Sequence, residues 1–325
     1  MIEARTLGES GLATPRLVLG GNVFGWTVPA GADSFRILDR FAEAGGVMID
    51  TADVYSAWVP GNKGGESETI IGEWLKRRGG HGGVLVATKV GHRAGLSRRV
   101  IADGIDASLA RLGVEAIDLY YAHKDDPATP QEETAEALDA LVRAGKVRAL
   151  GASNFDAGRL ASALDLSTRG GLARYDVLQP QYNLVQREGF EGALQDLCVA
   201  RDVAVLPYYG LASGFLTGKY RSKADLGKSV RGDRMNAFLD GNGPAVLAAL
   251  DDVATEAETT PARVALAWLA AQPGIAAPIA SATSVAQLEE LIGVLTLDLT
   301  ANQIARLDAA SARGDNLRHE FMQRT

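Results

Sequence analysis

Four side chains of this 325-residue chain could together move a proton and steady the charge that the movement leaves behind. They are Asp50, Tyr55, Lys89 and His123, and each stands at the end of a compact apolar run or a few residues beyond one. A tyrosine has an ordinary pKa of about 10, so at neutral pH it holds a proton that it can donate as negative charge grows on a nearby oxygen. A lysine beside it stabilises the phenolate that results. Asp50 could hold that lysine in place and offset the cost of burying its charge, while His123 could hydrogen-bond a carbonyl oxygen and fix its approach. Taken singly, each has an ordinary role: Asp50 as a cap or turn former, Lys89 as a solvated rim cation, Tyr55 as packing and His123 as a satisfied rim histidine. The set as a whole fits the interconversion of a carbonyl and an alcohol.

Such a set needs a frame that gathers residues from distant parts of the chain. Eight apolar runs occur in turn, at residues 17–19, 47–49, 84–86, 117–120, 147–150, 177–178, 203–206 and 276–279. Segments with helical spacing lie between them, such as Ile101, Ile105, Leu109 and Leu112 on one stripe and Ile70, Ile71, Trp74 and Leu75 on another. This alternation predicts an α/β fold, a (β/α)₈ barrel in which strand C-termini converge on one face. An N-terminal hairpin is expected from residues 5–7 and 12–14 around a turn at 8–11, a long loop at 210–244 after the seventh strand, and an extra C-terminal helix at 301–313. Residues 1–325 are read as a single domain. Thr129-Pro130 and Thr260-Pro261 place a capping residue before a first-turn proline and predict two helix starts, and Gly79 and Gly145 predict helix ends. On this frame Ser153, Asn154, Gln179 and Tyr208 join Asp50, Lys89 and His123 at one rim, with Tyr55 hanging over it.

The bulk composition narrows the partners. Hydrophobic residues make up 46% and charged residues 22%, enough apolar material for a large core. Lys plus Arg number 33 against 40 Asp plus Glu, a formal charge of −7, and basic clusters such as 76–78 and 98–99 are short, so nucleic acid is not an expected partner. The one cysteine, Cys198, permits neither an intramolecular disulfide nor a cysteine-based zinc site and reads as a core residue. The first five residues lack a leader pattern and the longest apolar run, 264–271, is too short to span a bilayer, so the expected location is cytoplasmic, with no membrane partner.

Five motifs in order resemble those of the aldo-keto reductases: Asp50-Thr51-Ala52-Asp53-Val54-Tyr55, Thr88-Lys89-Val90, Tyr121-Ala122-His123, Gly151-Ala152-Ser153-Asn154-Phe155 and Gln179-Pro180-Gln181-Tyr182-Asn183. The resemblance covers nearly the whole chain. It implies an oxidoreductase in which Tyr55 is the acid/base and Asp50, Lys89 and His123 complete a tetrad, using a nicotinamide dinucleotide bound without a Rossmann domain. It further assigns Ser153, Asn154 and Gln179 to the carboxamide, Tyr208 to stacking on the nicotinamide ring, and Leu211, Ser213 and Leu216 to the pyrophosphate. The family often has Ser-Pro where this chain has Tyr209-Gly210. Ser281, Thr283, Gln287 and Glu290 are the candidates for the adenosine end; the resemblance implies the family's usual preference for NADP(H), but many relatives carry a basic residue there and this chain carries none, which weakens that preference and leaves NAD(H) possible, and Lys219 or Arg221 could compensate. From loop position, Phe24, Trp26 and Trp58 would wall the substrate pocket, with Phe215, Phe238 or Phe321 added, which suits a small, partly apolar aldehyde, ketone or sugar. Two other classes fit some of these residues: a nucleotide-sensing binding protein similar to potassium-channel β-subunits, and a lyase or isomerase using Lys89 as a Schiff base.

Overall fold

The computed structural model describes residues 3–228 and 232–312. Its first elements are two short antiparallel strands, β1 (Ala4–Thr6) and β2 (Ala13–Pro15), with Ala4 opposite Pro15. Eight parallel strands follow: β3 (Val18–Gly20), β4 (Met48–Asp50), β5 (Leu85–Val90), β6 (Ile117–Ala122), β7 (Val147–Ser153), β8 (Tyr175–Gln179), β9 (Ala204–Val205) and β10 (Ile279–Ala280). They lie side by side in the order β10-β3-β4-β5-β6-β7-β8-β9. The remaining seam is joined by Val205 N to Gly274 O at 3.0 Å, Ala276 N to Val205 O at 2.9 Å and Ile279 N to Pro207 O at 2.9 Å, which closes the sheet into a barrel. All eight apolar runs therefore lie in or beside barrel strands, and the (β/α)₈ expectation holds.

Helices α1 (Ala32–Glu43), α2 (Glu66–Arg77), α3 (Arg98–Leu112), α4 (Gln131–Arg143), α5 (Ala157–Gly170) and α6 (Ala193–Ala200) follow β3 to β8 one by one. Between β9 and β10 come α7 (Asn236–Asp240), α8 (Gly243–Glu256) and α9 (Pro261–Ala270), and after β10 come α10 (Val285–Ile292) and α11 (Ala301–Ser311). The long connection after β9 is not featureless, since it holds 3₁₀ turns at 212–217, 223–228 and 232–235 before α7. Thr260 caps α9 by accepting from Arg263 N, with Pro261 as the first helical residue. The Thr129-Pro130 reading needs correction: α4 starts one residue later, Pro130 precedes it with an extended ψ of 135°, and Thr129 donates instead to Asp126 Oδ2 at 2.6 Å. The Asp126 turn takes the hydroxyl that would have capped the helix. Gly79 and Gly145 follow α2 and α4 with φ of 80° and 72°, in the left-handed region expected of helix stops.

The period-two alternation of strand side chains divides the apolar residues into two clusters. Val18, Met48, Ala87, Leu119, Ala149, Val177, Ala204 and Ile279 fill the barrel, while Leu19, Ile49, Val86, Tyr120, Leu150, Leu178 and Val205 face the helices. Leu7 and Leu12 of the hairpin belong to the interior cluster, so the hairpin closes the end where strands begin. A Cβ on Gly8, at φ 55°, would come within 2.8 Å of the carbonyl oxygens of Asp176 and Asp202, so that turn requires glycine. The other end is left for polar residues.

Candidate active site

The alternation that fills the barrel also dictates what stands at its open end. Two residues beyond the inward Met48 is Asp50, two beyond Ala87 is Lys89, four beyond Leu119 is His123, four beyond Ala149 is Ser153, and two beyond Val177 is Gln179. All five point into the barrel mouth as a consequence of register, and all are buried. Asp50, Ser153 and Gln179 are the last residues of their strands and Lys89 the penultimate one, so the strands run one or two residues further than their apolar cores.

At the centre lies Lys89, 1% exposed, whose Nζ donates to Asp50 Oδ2 at 2.6 Å, Thr51 O at 2.7 Å and Tyr55 OH at 3.0 Å. Gln179 Nε2 donates to the other carboxylate oxygen, Asp50 Oδ1, at 2.9 Å, and Tyr55 OH lies 3.5 Å from Oδ2. Burial lowers the pKa of the Lys89 ammonium, and the adjacent Asp50 carboxylate acts against that. Burial, and next the charge of Asp50, hold the Tyr55 phenol well above its usual value, so it keeps its proton. His123 is held well below its ordinary value by burial, then by the charges of Lys89 and His92, and is a neutral imidazole at pH 7. Its Nδ1 is buried without a hydrogen-bond partner among the described residues, and its ring stands 6.1 Å, centroid to centroid, from that of Tyr55.

A second layer fixes this arrangement, and sequence reasoning did not single it out. Glu68 of α2, fully buried, accepts from Thr88 Oγ1 at 2.6 Å and from Arg111 Nε of α3 at 2.6 Å, tying β5 next to Lys89 to two helices. The signal in the sequence was a glutamate in the first turn of a helix, between Ser67 and Thr69, which alone reads as a solvated side chain.

Ser153, Asn154, Gln179 and Tyr208 form one chain of hydrogen bonds along the next quadrant. Ser153 Oγ donates to Gln179 O at 2.9 Å, Asn154 Nδ2 donates to His123 O and to Ser153 Oγ, each at 3.0 Å, and Tyr208 OH donates to Asn154 Oδ1 at 2.8 Å. Asn154 has φ 57°, an orientation that turns its amide over the barrel mouth. Tyr209, also at φ 57°, packs its ring 5.0 Å from that of Tyr208, while a Cβ on Gly210 would come within 2.9 Å of Leu269. Tyr209-Gly210 thus bends the chain tightly against α9. Beyond it Ala212, Ser213 and Gly214 follow one another at φ 47°, 56° and 96°, and a Cβ on Gly214 would come within 3.2 Å of Lys219 Nζ. A run of left-handed residues with a cation beside it is a concavity suited to an anion. Leu211 is partly buried and Leu216 wholly so, which leaves their backbone rather than their side chains toward such a group. Arg221 is engaged by both oxygens of Asp251, at 2.6 and 2.7 Å, and stands apart from this role.

Around the segment after β10, Ser281 donates to Asn22 Oδ1 at 2.8 Å, and Thr283 donates through N and Oγ1 to Gln287 Oε1 at 3.0 and 2.9 Å. Glu290 accepts from Thr260 Oγ1 and lies 3.5 Å from Arg263, whose Nε donates to Glu290 O at 2.9 Å. Arg40 pairs with the neighbouring Glu289. The segment lacks basic residues of its own, yet α9 and α1 supply two.

The aromatic candidates separate. Trp58 is 45% exposed, its ring 5.6 Å from that of Trp26 and 6.2 Å from that of Tyr55, so both tryptophans flank the site. Phe24 does not: it is fully buried in the helix-facing core, and only its carbonyl reaches toward the site loop, accepting from Ser56 Oγ at 2.8 Å. Phe215 is likewise fully buried, with Phe238 packed on it at 5.2 Å, and Phe321 lies outside the described residues. Cys198 is buried, its thiol pushed up to about 12 by burial.

The chain resembles known proteins along most of its length. Residues 16–312 match the model of the aldo/keto reductase family. It is 32% identical over 306 residues to aldo-keto reductase str7 of Strobilurus tenacellus, covering 92% of this chain and 85% of that protein. It is 32% identical over 313 residues to the uncharacterized oxidoreductase YrpG of Bacillus subtilis, covering 92% of each. A protein of Arabidopsis thaliana described as a probable voltage-gated potassium channel subunit beta is 29% identical over 307 residues, covering 89% of this chain and 90% of that one. With the matched motifs standing at the open end of a closed parallel barrel, the chain belongs to the aldo/keto reductase family.

Proposed function

We propose that this protein reduces small aldehydes or ketones, or oxidises the corresponding alcohols, by hydride transfer with NADP(H), and with NAD(H) as a weaker alternative. The observation that carries the reading is Lys89 Nζ standing 2.6 Å from Asp50 Oδ2 and 3.0 Å from Tyr55 OH. Tyr55 holds a proton and faces a cation that favours the phenolate formed when the proton leaves. His123, neutral and fixed by its buried ring, orients the carbonyl oxygen. The bound nicotinamide supplies or accepts the hydride; Ser153, Asn154 and Gln179 would hold its carboxamide and Tyr208 its ring face. Ser213, the backbone of Leu211 and Leu216, and Lys219 would take the pyrophosphate, and Ser281, Thr283, Gln287 and Glu290 the adenosine. Arg263, in contact with Glu290, brings a cation to that last group and is the candidate partner of a 2′-phosphate.

The Schiff-base reading loses support because all three donors of Lys89 are committed. A nucleotide-sensing role keeps some, from the similarity to the channel-subunit protein; it predicts nucleotide binding without steady turnover. Titration with NADPH and NADH, followed by nucleotide fluorescence, and then addition of a reactive small aldehyde separates these. The expected result is NADPH binding with turnover, and in Tyr55→Phe a loss of about 10²–10⁴-fold in turnover with binding kept. Absence of binding by either nucleotide refutes the proposal.

A further inference from the structure

We infer that the loops after β5 and β6 form an anion-accepting wall of the site, made by His92, Arg93 and Lys124, and that the favoured substrates are short aldehydes or ketones carrying a carboxylate or phosphate. The inference rests on the reductase reading and adds a substrate class to it. The His92 ring packs edge-on against that of His123 at 4.7 Å between centroids, so the wall begins one side chain away from the residue that would hold the carbonyl. Trp58 and Trp26 stand beyond Tyr55, whose ring also meets that of His123, so the two walls extend from different neighbours of His123.

Charge on the wall is only partly compensated. His92, Arg93 and Lys124 are exposed, and neither Arg93 nor Lys124 has an ion pair or side-chain hydrogen bond among the described residues. Arg93 follows His92 and Lys124 follows His123 directly in the chain, so the contact between the two rings brings both cations to the same edge, and burial, then the charges of Arg93 and Lys124, lower the pKa of His92. Acidic residues in the same loop offset them only in part: Asp125 is taken by Arg159, and Asp126, held ionised by its hydrogen bonds, leaves a surplus of one positive charge. Asp125 accepts from both Arg159 Nε and a terminal nitrogen, at 2.8 and 2.9 Å, and Asp126 accepts from Leu96 N, Ala128 N and Thr129 Oγ1. In a protein of formal charge −7, a net cationic edge beside the reacting centre attracts anions and repels no part of a neutral substrate.

The test is the ratio of kcat/KM for matched anionic and neutral substrates: succinic semialdehyde against butanal, and glyceraldehyde 3-phosphate against glyceraldehyde. The two pairs distinguish carboxylate from phosphate. Wild-type protein at low ionic strength is expected to favour at least one anionic member by about tenfold, the worth of two exposed charges acting together. That ratio should fall toward unity in Arg93→Gln/Lys124→Gln and in about 0.5 M salt. A wild-type ratio near unity in both pairs, with the neutral aldehydes turned over, overturns the anion wall alone; no turnover of any of the four overturns the reductase reading and the wall with it. A ratio that survives the double substitution also refutes the assignment.

Discussion

Lys89→Met removes one positive charge from a site that has almost no water to replace it, while keeping a side chain of similar length. In the wild type the ammonium is 1% exposed and the Asp50 side chain 3%. Without Lys89, the Asp50 carboxylate keeps only Gln179 Nε2 at 2.9 Å and the distant Tyr55 OH at 3.5 Å, and the Thr51 carbonyl loses its donor. Removing one partner of a buried ion pair costs about 3–5 kcal/mol, chiefly through the charge left behind. Spread over 325 residues, the unfolding entropy near 60 °C is about 0.7 kcal/mol/K, so Tm should fall by about 4–7 °C. Adding Asp50→Asn removes the stranded charge and should recover most of the loss, although neither variant regains activity. Calorimetry on wild type, both single variants and the double variant at pH 7 measures the cycle. Aldehyde turnover, assayed well below the lower Tm, should fall at least about 10²-fold in Lys89→Met. A Lys89→Met transition that superimposes on the wild-type curve, or a double variant less stable than Lys89→Met, refutes the reasoning.

Two further substitutions test the surroundings. Gly72→Ala would place a Cβ 2.2 Å from Arg111 O and 2.8 Å from Leu112 O, backbone atoms that cannot rotate away. The usual helix gain of about 1 kcal/mol for Ala over Gly should therefore be reversed to a net loss of about 1–3 kcal/mol, read by urea unfolding. Asp53 has its pKa raised to about 6 by burial and then by the Glu68 charge. Because the folded value exceeds the unfolded one, its contribution to stability is full below about pH 4 and is lost as pH rises through 6. Asp53→Asn should thus gain stability relative to wild type between those values, with about 3 kcal/mol as the upper limit before solvent screening is taken off; a difference independent of pH counts against this origin.

Much of the site could be read from the sequence because it depends on local periodicity. Apolar runs of the right spacing place strands, and a strand's two-residue repeat then decides that Asp50, Lys89 and Gln179 face inward with Met48, Ala87 and Val177. What escaped depends on approach from elsewhere in the chain. Phe24 sits near the site in sequence, but helix packing takes its ring into the outer core. Arg263 reaches the 289–290 backbone from α9, some 27 positions away, and no local pattern marks it as a partner of that segment. Thr129 has every feature of a cap, and only the Asp126 carboxylate competing for its hydroxyl explains why it is not one. Sequence spacing tells which face a residue occupies; which neighbour claims it is settled by tertiary packing.

The division between strands and loops has a consequence for how this site can change. Asp50, Lys89, Ser153 and Gln179 lie within strands, cross-linked over as many as 129 positions by the Gln179–Asp50 hydrogen bond, and are parts of the barrel's own core. Trp26, Trp58, Arg93 and Lys124 lie on connections and bear little of the fold. Altering the first group disturbs chemistry and stability together, because each member satisfies another's buried polar atom. Altering the second group shifts which substrate approaches while leaving buried pairs intact. Arg93→Gln/Lys124→Gln should therefore melt with the wild type even as it loses the preference for anions, whereas Lys89→Met loses both turnover and several degrees of Tm. The same barrel can then be turned toward a different carbonyl compound by substitution at its rim, without reopening the network that holds the proton.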